Sequence, residues 1–303
     1  MYYLGIDGGG TKTAFLLADE QQNGITHVTL GASNPVDVGF DTTLAILKEG
    51  IDKTLDDIPR EQVSVFAGIA GCMTDENRSR VQAFLDEQGF ACAACGGDVQ
   101  NVVAAGLGSS DGICTIMGTG SVTFAQRDGG LTRLGGYGYL FDKGGSGYAL
   151  GRDAIRACLA AEQEGGEPTL MREKLLERLQ TPTVLAALGE FYQGGKAFIA
   201  SFAPLVFVAY EQGDAIASRI LQDNMACVAD EVQKARRMLN DRTPVRFVLS
   251  GGLTARADVL LPLLRQQLDE QSAYDITILT SPPVMGAVTL AKENYHDQNR
   301  NEK

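Results

Sequence analysis

The sequence predicts an α/β protein built from two similar halves. Residues 2–110 show the order βββαβαβα in their hydrophobic pattern. Near Ile113 the pattern restarts, with a strand, a glycine-rich turn and a second strand. A chain of 303 residues is long enough for two domains of ordinary size. Together these observations predict a duplicated α/β architecture, with helical additions in the second half.

The first half begins as a β-meander and continues with alternating helices and strands. Glycines at 8–10 and the sequence Gln22-Asn23-Gly24 mark the turns between its first three strands. Apolar residues at helical spacing then alternate with short buried-strand patterns. The predicted strands are 2–6, 13–18, 26–30, 63–69 and 91–95, and the predicted helices are 41–57, 77–87 and 99–105.

The second half repeats this scheme around a long helical region. Its predicted strands are 113–117, 122–126, 245–249 and 275–279, and its predicted helices lie within 148–240 and at 257–268 and 284–294. The apolar run 198–210 contains Pro204 and predicts a core helix or a subunit contact, which leaves a homodimer open. We expect an N-terminal lobe of residues 1–110 completed by the helix 284–295, a C-terminal lobe of 111–283, and a polar tail of 296–303.

Charge and histidine content exclude several classes of function. The chain has 26 Lys and Arg against 38 Asp and Glu, a net charge of −12, which argues against a nucleic-acid partner. Its two histidines are His27, in a predicted strand, and His296, in the polar tail. A Ser-His-Asp site or a multi-histidine metal site is therefore not expected. The chemistry must depend on carboxylates, hydroxyls, backbone amides or a cofactor.

The cysteines and the N-terminal residues indicate where the protein resides. Six cysteines lie in apolar contexts, the pattern of buried and reduced thiols. The sequence starts MYYLGIDGGG, without a charged segment and an apolar segment before the first strand. No stretch approaches the ~18 apolar residues that a membrane helix needs. We expect a cytoplasmic protein without a membrane partner.

The first candidate ligand site is the turn Asp7-Gly8-Gly9-Gly10-Thr11-Lys12-Thr13. Three glycines let backbone N–H groups approach an anion, while the threonines add hydroxyl donors and Lys12 adds charge. Asp7, at the strand end, is placed to hold Mg²⁺ through water. The segment matches neither a Walker loop nor the dinucleotide fingerprint. A plain hairpin turn is the alternative interpretation.

Two further glycine turns lie in the second half. Gly118-Thr119-Gly120-Ser121 resembles the first turn without its carboxylate, and as the partner of that turn it would bind a polyphosphate from the other side. Gly251-Gly252 ends a strand before a helix, and its bare backbone suits an adenosine. Purely structural turns explain both segments equally well.

The candidate catalytic acid–base residue is Asp98. It follows Gly96-Gly97 at the end of a short apolar strand, the edge of an α/β sheet where ligands bind. A carboxylate there can accept a proton from a sugar hydroxyl as a general base. An aspartate in front of a helix can instead be its N-cap, and the sequence leaves both roles open.

In combination, the segments DGGGTKT, GD, GTGS, SGG and PVMGA resemble the sugar-kinase, hsp70 and actin superfamily. More narrowly they are similar to the BadF/BadG/BcrA/BcrD-type ATPases, including N-acetylglucosamine kinase-like members. The resemblance covers residues 2–292 in the same order. It implies a two-lobed, actin-like (ribonuclease H-like) ATPase fold with ATP in the cleft and Mg²⁺ on its phosphates. It also implies a kinase that transfers the γ-phosphoryl group of ATP to a hydroxyl of N-acetylglucosamine or a related amino sugar.

The resemblance also implies roles for individual residues. Asp98 matches the base, Asp7 the residue that holds Mg²⁺ through water, and Asn34 a sugar-binding residue. The remaining matches are the phosphate-binding residues Gly9, Gly10, Thr11, Lys12, Thr13, Gly118, Thr119, Gly120 and Ser121, the adenosine-binding Gly251 and Gly252, and the sugar-pocket residues Gly71, Gly136, Tyr137 and Gly138.

One segment departs from the family pattern. Where the family reads G-D-E-G-S, this chain has Asp142-Lys143-Gly144-Gly145-Ser146, so Lys143 stands at an acidic sugar-binding position. Either Asp142 substitutes from one residue earlier, or Lys143 pairs with an anionic sugar such as N-acetylmuramate. A solvent-exposed Lys143 without a role is the other interpretation.

Two other functions fit the same family. One is the activator of a 2-hydroxyacyl-CoA dehydratase, an ATPase with an iron–sulfur cluster. The pair Cys92-Ala93-Ala94-Cys95 provides two thiols, but a strand would direct them to opposite faces and a cluster needs four ligands. We therefore interpret these cysteines as structural. The other is a non-catalytic regulator that binds ATP and a sugar.

Overall fold

The computed structural model describes residues 1–72, 75–240 and 243–301 and divides into two compact units. Unit 1 comprises Met1–Ser109 with Leu279–Lys303, and unit 2 comprises Ser110–Ile278. The last helix of the chain thus belongs to the same unit as the first strand. Within the described ranges, no helix combines the length and the apolar character needed to cross a bilayer.

Apart from the short helix α1, which was not predicted, and the end of the last helix, unit 1 follows the predicted order, with element ends shifted by at most two residues. Its strands are β1 (Tyr2–Gly8), β2 (Thr13–Ala18), β3 (Gly24–Leu30), β4 (Val63–Ile69) and β5 (Cys92–Gly96). Its helices are α1 (Pro35–Val38), α2 (Phe40–Leu55), α3 (Asp75–Asp86), α4 (Asp98–Leu107) and, from the end of the chain, α11 (Pro283–Asn301). A 3₁₀ turn, Arg60–Gln62, leads into β4.

The strands of unit 1 form one mixed sheet in the order β3-β2-β1-β4-β5. β1 runs antiparallel to β2 and parallel to β4, and β5 continues the parallel part. In this register Asp7 lies between Ala14 of β2 and Gly68 of β4. The carboxyl ends of β1, β4 and β5 therefore meet at one edge, where ligands of α/β sheets bind.

Both faces of this sheet are covered, which explains why β1 and β4 are apolar almost throughout. One face packs on α2 and α3 through a core that includes Phe15, Leu47, Ile51 and Val81. The other face packs on α11 around the fully buried Tyr3. The sheet edge with Asp7 is thus set on a rigid support.

Unit 2 repeats the layout of unit 1 with a helical insertion. Its strands are β6 (Gly112–Met117), β7 (Ser121–Arg127), β8 (Gly130–Gly135), β9 (Val245–Ser250) and β10 (Tyr274–Ile278). Its helices are α5 (Gly147–Ala161), α6 (Leu170–Leu179), α7 (Leu188–Ala200), α8 (Ala203–Glu211), α9 (Ala215–Met238) and α10 (Ala257–Gln267).

The sheet of unit 2 has the order β10-β9-β6-β7-β8, which is the order of unit 1 read from the other edge. β6 corresponds to β1, since it is antiparallel to β7 and parallel to β9. The predicted duplication is therefore confirmed. The predicted apolar run is a core element, because Phe202, Val206 and Phe207 of the α8 region are buried.

The last helix differs from the prediction. The sequence predicts that it ends near Asn294 and that a polar tail follows, but α11 continues to Asn301. The His296 ring lies 6.4 Å from the Tyr3 ring, and Asn299 Nδ2 donates to the Tyr295 carbonyl at 2.7 Å. Polar side chains do not end a helix when its preceding turns are already stabilised by packing on a sheet. The predicted tail residues 302–303 lie outside the described residues.

Candidate active site

The glycine turn 8–13 lies at the carboxyl edge of the unit 1 sheet, held by neighbouring loops. Gly9 N donates to the Lys12 carbonyl at 3.0 Å, and Ser33 N donates to the Gly9 carbonyl at 3.1 Å. Ala70 N donates to the Gly8 carbonyl at 2.8 Å. The side chains of Thr11 and Lys12 are exposed. Three segments that are far apart in sequence are thus joined into one edge.

Thr13 is placed differently from the other residues of this turn. Its side chain is fully buried, and its hydroxyl hydrogen-bonds to the Gly31 carbonyl and to Ser33 Oγ, each at 2.8 Å. The hydroxyl therefore connects the start of β2 to the end of β3. Its bonding capacity is used within the protein, unlike that of the exposed Thr11.

The Asp7 carboxylate is fixed by Asn101 of α4. Asn101 Nδ2 donates to Asp7 Oδ1 at 2.7 Å and also lies 3.2 Å from the Ile6 carbonyl and 3.1 Å from the Gly68 carbonyl. Asn101 is fully buried, and the two hydrogens of its amide are shared among these three oxygens, which fixes the orientation of the amide. Burial raises the pKa of Asp7, while the Asn101 hydrogen bond and the charge of Lys12 oppose that shift.

Asp98 is the first residue of α4, on the same helix as Asn101. The N-cap is Gly97, whose N–H donates to Gln100 Oε1 at 3.1 Å, so the proposed N-cap role of Asp98 is wrong. Burial raises the pKa of Asp98, and the negative charge of Asp7 raises it further. Two carboxylates that influence each other at a ligand-binding edge are typical of a functional site.

Asn34 and Gly71 lie next to each other at this edge. A Cβ on Gly71 would overlap Asn34 Oδ1. Asn34 is the N-cap of α1, since its Oδ1 accepts from Val36 N at 3.1 Å, and its Nδ2 donates to Asp37 Oδ2 at 2.6 Å. Unit 1 thus brings together the predicted base, metal-binding residue, first glycine turn and two of the predicted sugar-binding residues.

In unit 2, the turn 118–121 packs against the start of α5. Gly147 N and Tyr148 N donate to the carbonyls of Gly118 and Thr119 at 2.8 and 3.1 Å. Thr119 and Gly120 are exposed. Ser121 Oγ is buried and has no hydrogen-bond partner among the described residues. An unsatisfied hydroxyl in a glycine turn indicates that a polar ligand or water completes it.

The Gly251-Gly252 turn lies beside this loop. Gly251 has φ +96°, and a Cβ there would overlap the backbone of Met117, the residue before Gly118. The position requires glycine because of both the positive φ and the close approach of the two loops. Thr254 Oγ1 donates to the Gly251 carbonyl at 2.8 Å and closes the turn. The predicted adenosine-binding turn and second phosphate loop are therefore neighbours.

The segment 136–143 forms a second group of predicted sugar-binding residues. Asp142 accepts from Tyr137 N at 2.7 Å and from Gly138 N at 3.1 Å, so both carboxylate oxygens brace this turn. Lys143 is 77% exposed, and its Nζ lies 4.0 Å from Asp230 Oδ2. Of the two residues, Lys143 retains the freer side chain.

Helix α9 supports this segment with residues that the sequence analysis missed. Asn224 Oδ1 accepts from Gly145 N at 2.8 Å. Glu231, two turns further along, accepts from Thr123 Oγ1 at 3.0 Å and lies directly under Gly135. Asn101 in unit 1 was missed in the same way. For Asn101 its position three residues after Asp98 was an available signal, whereas none marked Asn224 or Glu231.

The cysteines are free thiols, of which Cys72, Cys114 and Cys158 are buried and Cys92, Cys95 and Cys227 half-buried. Cys92 lies beside Ser64, whose hydroxyl bonds to α11, whereas Cys95 lies beside Cys72 in the core on the opposite face. The strand thus separates Cys92 and Cys95, as its alternation predicts. They cannot ligate one iron ion in this arrangement.

Two sheets of the same topology, each with a glycine turn after its central strand, are the fold of the actin-like ATPases. Residues 4–291 match the model of the BadF/BadG/BcrA/BcrD ATPase family, and the chain belongs to that family. The crystal structure of a Chromobacterium violaceum protein assigned as an N-acetylglucosamine kinase is similar, with a TM-score of 0.72, 24% identity and coverage of 96% of this chain and 98% of that one.

Two curated relatives are similar over nearly their whole length. The N-acetyl-D-glucosamine kinase of Dictyostelium discoideum is 30% identical, with 95% of this chain and 97% of the relative covered. The N-acetylmuramic acid/N-acetylglucosamine kinase of Clostridium acetobutylicum is 27% identical, with 96% and 98% covered.

Proposed function

We propose that this protein is an ATP-dependent amino-sugar kinase that phosphorylates a hydroxyl of N-acetylglucosamine or a related sugar such as N-acetylmuramate or glucosamine. The observation that carries the proposal is the pair of half-buried carboxylates, Asp7 and Asp98, beside the first glycine turn. Membership of the ATPase family and the activities in the names of the two curated relatives support it.

Asp98 is the general base in this proposal. Its raised pKa brings the carboxyl closer to the range in which a base works well near neutral pH. The carboxylate accepts the proton of the attacking sugar hydroxyl, and the oxygen attacks the γ-phosphorus. The bond from that phosphorus to the oxygen bridging to the β-phosphate breaks, so the products are the sugar phosphate and ADP. Such transfer depends mainly on positioning and charge neutralisation, which requires few reactive side chains.

Asp7 fits a role in holding Mg²⁺. Among the residues that the structure describes, no group of three or more His, Cys, Asp or Glu side chains is arranged for a metal. A site with a single carboxylate is consistent with magnesium, which keeps several water ligands and binds the phosphates of the substrate. Asn101 holds Oδ1 and leaves the other oxygen for a metal-bound water. The ion would neutralise phosphate charge.

The glycine turns serve the nucleotide. We propose that Gly9, Gly10, Thr11 and Lys12 of unit 1, with backbone amides and exposed side chains, and Gly118 to Ser121 of unit 2 bind phosphates. For Thr13 only the backbone remains for such a role, because its hydroxyl is used within the protein. Gly251 and Gly252 present bare backbone to the adenosine.

In unit 1 the proposed sugar contacts are Asn34 and Gly71. In unit 2 the proposed contacts lie in the segment 136–143. Asp142 stabilises the turn of Gly136, Tyr137 and Gly138, so it acts on the sugar through the backbone that it braces. Lys143 is free to reach the carboxylate of an anionic sugar, which favours N-acetylmuramate among the acceptors that this site takes.

The test of this proposal is Asp98→Asn, with the exposed Asp57→Asn as control. We expect kcat for sugar-dependent ADP release to fall about 10²–10⁴-fold in Asp98→Asn. The Kd for ATP, measured by calorimetry, should stay within about twofold, because Asp98 contacts the acceptor. Turnover at the wild-type rate would contradict the assignment of the base. A non-catalytic regulator would instead show ATP binding and no sugar-dependent turnover in any variant.

A further inference from the structure

A cavity of about 310 Å³ opens in unit 2 between the segment 133–143 and α9. Its lining combines aromatic rings with charges of both signs. The residues that matter here are Tyr137, Phe141, Asp142, Lys143, Asp230 and Glu231. Three of them, Tyr137, Asp142 and Lys143, are proposed above for sugar binding. The size and the mixture of rings and polar groups fit a small polar molecule such as a hexose derivative.

Glu231 differs from the other acidic residues of this cavity. Asp142 uses both oxygens on backbone amides, and Asp230 pairs with Lys234 at 2.7 Å. Within the described part of the chain no lysine or arginine forms an ion pair with Glu231, whose hydrogen-bond donor is the Thr123 hydroxyl. Arg133 and Lys234 also line the cavity, and the charge of Lys234 lowers the pKa of Glu231 without a close ion pair. A half-buried carboxylate without an ion pair is unfavourable, and a site at which a ligand supplies donors explains it.

The carboxylate is held in one orientation from beneath. Thr115 Oγ1 and Thr123 Oγ1 lie 2.9 Å apart, and Thr123 Oγ1 donates to Glu231 Oε2 at 3.0 Å. Both threonines are fully buried, so this chain of hydroxyls is rigid. The other oxygen, Oε1, lies against Gly135, where a Cβ would overlap it. Such fixed polar groups are characteristic of a binding site that exists before its ligand arrives.

The protonation of Glu231 fits this role. Burial raises the pKa of Glu231 to about 7, the charge of Asp142 also raises it, and the Thr123 hydrogen bond opposes the shift. Donors from a bound sugar would stabilise the ionised form.

We propose that this cavity is a sugar-binding subsite and that Glu231 is a specificity-determining residue; this inference rests on the proposed function. Glu231 accepts hydrogen bonds from the hydroxyl or amide N–H groups of the acceptor sugar. A carboxylate at this place favours neutral and cationic amino sugars and opposes anionic ones. Lys143, which lines the same cavity, has the opposite effect. The balance of the two residues sets the preference between N-acetylglucosamine and N-acetylmuramate.

The experiment compares wild type, Glu231→Gln and the control Asp223→Asn, which removes one charge from an exposed position of the same helix. KM and kcat are measured for N-acetylglucosamine, N-acetylmuramate and ATP. In Glu231→Gln the KM for N-acetylglucosamine should rise about tenfold or more, since a hydrogen bond to a charged group is lost. The KM for ATP should not change. The ratio of kcat/KM for N-acetylglucosamine to that for N-acetylmuramate should fall about tenfold.

A purely structural role would change all three KM values together, or lower the melting temperature, and would overturn the proposal. An unchanged KM for N-acetylglucosamine in Glu231→Gln would overturn it as well. Measurements on the wild type distinguish failure of the proposed function from failure of the proposed role of Glu231. If it releases no ADP with any sugar, the proposed function fails and this proposal with it. If it is active while Glu231→Gln has the same sugar preference, this proposal alone fails. Thr123→Val, which removes the donor beneath the carboxylate, should shift the preference in the same direction by a smaller factor.

Discussion

The substitution Asn101→Ala tests how the Asp7 carboxylate is held in place. The side chain is fully buried, and its one amide nitrogen faces Asp7 Oδ1, the Ile6 carbonyl and the Gly68 carbonyl at 2.7–3.2 Å. Its removal leaves a half-buried carboxylate and a sheet edge with unsatisfied acceptors. Each such group costs about 1–3 kcal/mol, and the carbonyls retain part of their bonding in the β1–β4 ladder. We expect a loss of about 3 kcal/mol in the free energy of unfolding.

The assay is urea denaturation, with the melting temperature as a second readout. A loss of this size should lower the melting temperature by roughly 6–12 °C. Asn299→Ala is the matched control, because that amide makes one bond within α11, and it should cost less than about 0.5 kcal/mol. A loss below about 1 kcal/mol for Asn101→Ala would refute the reasoning, since it would mean that the three oxygens are satisfied without the amide.

Three further substitutions test individual contacts. Gly135→Ala should lower the free energy of unfolding by about 2 kcal/mol or more, because φ is +69° and the new Cβ would overlap Glu231 Oε1. Urea denaturation should show that part of this loss is recovered when Glu231→Ala is added. If nothing is recovered, the contact between the two residues is contradicted. The folded pKa of Glu231, about 7, lies above its usual value of about 4.3, so the stability linked to its protonation is present below about pH 4 and lost as the pH rises through 7. The free energy of unfolding of Glu231→Gln, relative to that of the wild type, should therefore rise by roughly 2 kcal/mol between pH 4 and pH 8, after allowance for the partial exposure of the side chain. A difference that does not depend on pH would contradict the raised pKa. Gly251→Ala should destabilise the chain, since φ is +96° and the new Cβ would overlap the Met117 backbone. Gly252→Ala is the control, because a Cβ at Gly252 would meet open space. Equal melting temperatures of the two variants would contradict this geometry.

Most of the fold could be predicted because its signals are local. The meander of β1 to β3 follows from apolar runs separated by glycine and asparagine turns, and the restart near Ile113 reveals the duplication. The extent of α11 could not be predicted in this way. Its last turns are polar and depend on contacts with Tyr3, which lies almost the whole chain length away.

The candidate site could be predicted in part. Asp7, Asp98 and the glycine turns have local sequence signals. A carboxylate at the end of an apolar strand, or a run of glycines, can be recognised within one short segment. Asn101 and Glu231 are defined by partners 94 and 108 residues away, Asp7 and Thr123. A buried amide in a helix looks like any other asparagine until the sheet places three acceptors around it. The use of the Thr13 hydroxyl by Gly31 and Ser33 was hidden for the same reason.

The measurement that tests the central claim most directly is coupled ADP release with ATP and Mg²⁺ across a panel of sugars. The panel comprises N-acetylglucosamine, glucosamine, N-acetylmannosamine, N-acetylmuramate and glucose, and mass spectrometry of the products identifies any sugar phosphate. The account predicts ADP release that depends on an amino sugar, with one phosphate added per ADP formed. Slow ADP release that is the same with every sugar and without sugar would contradict it.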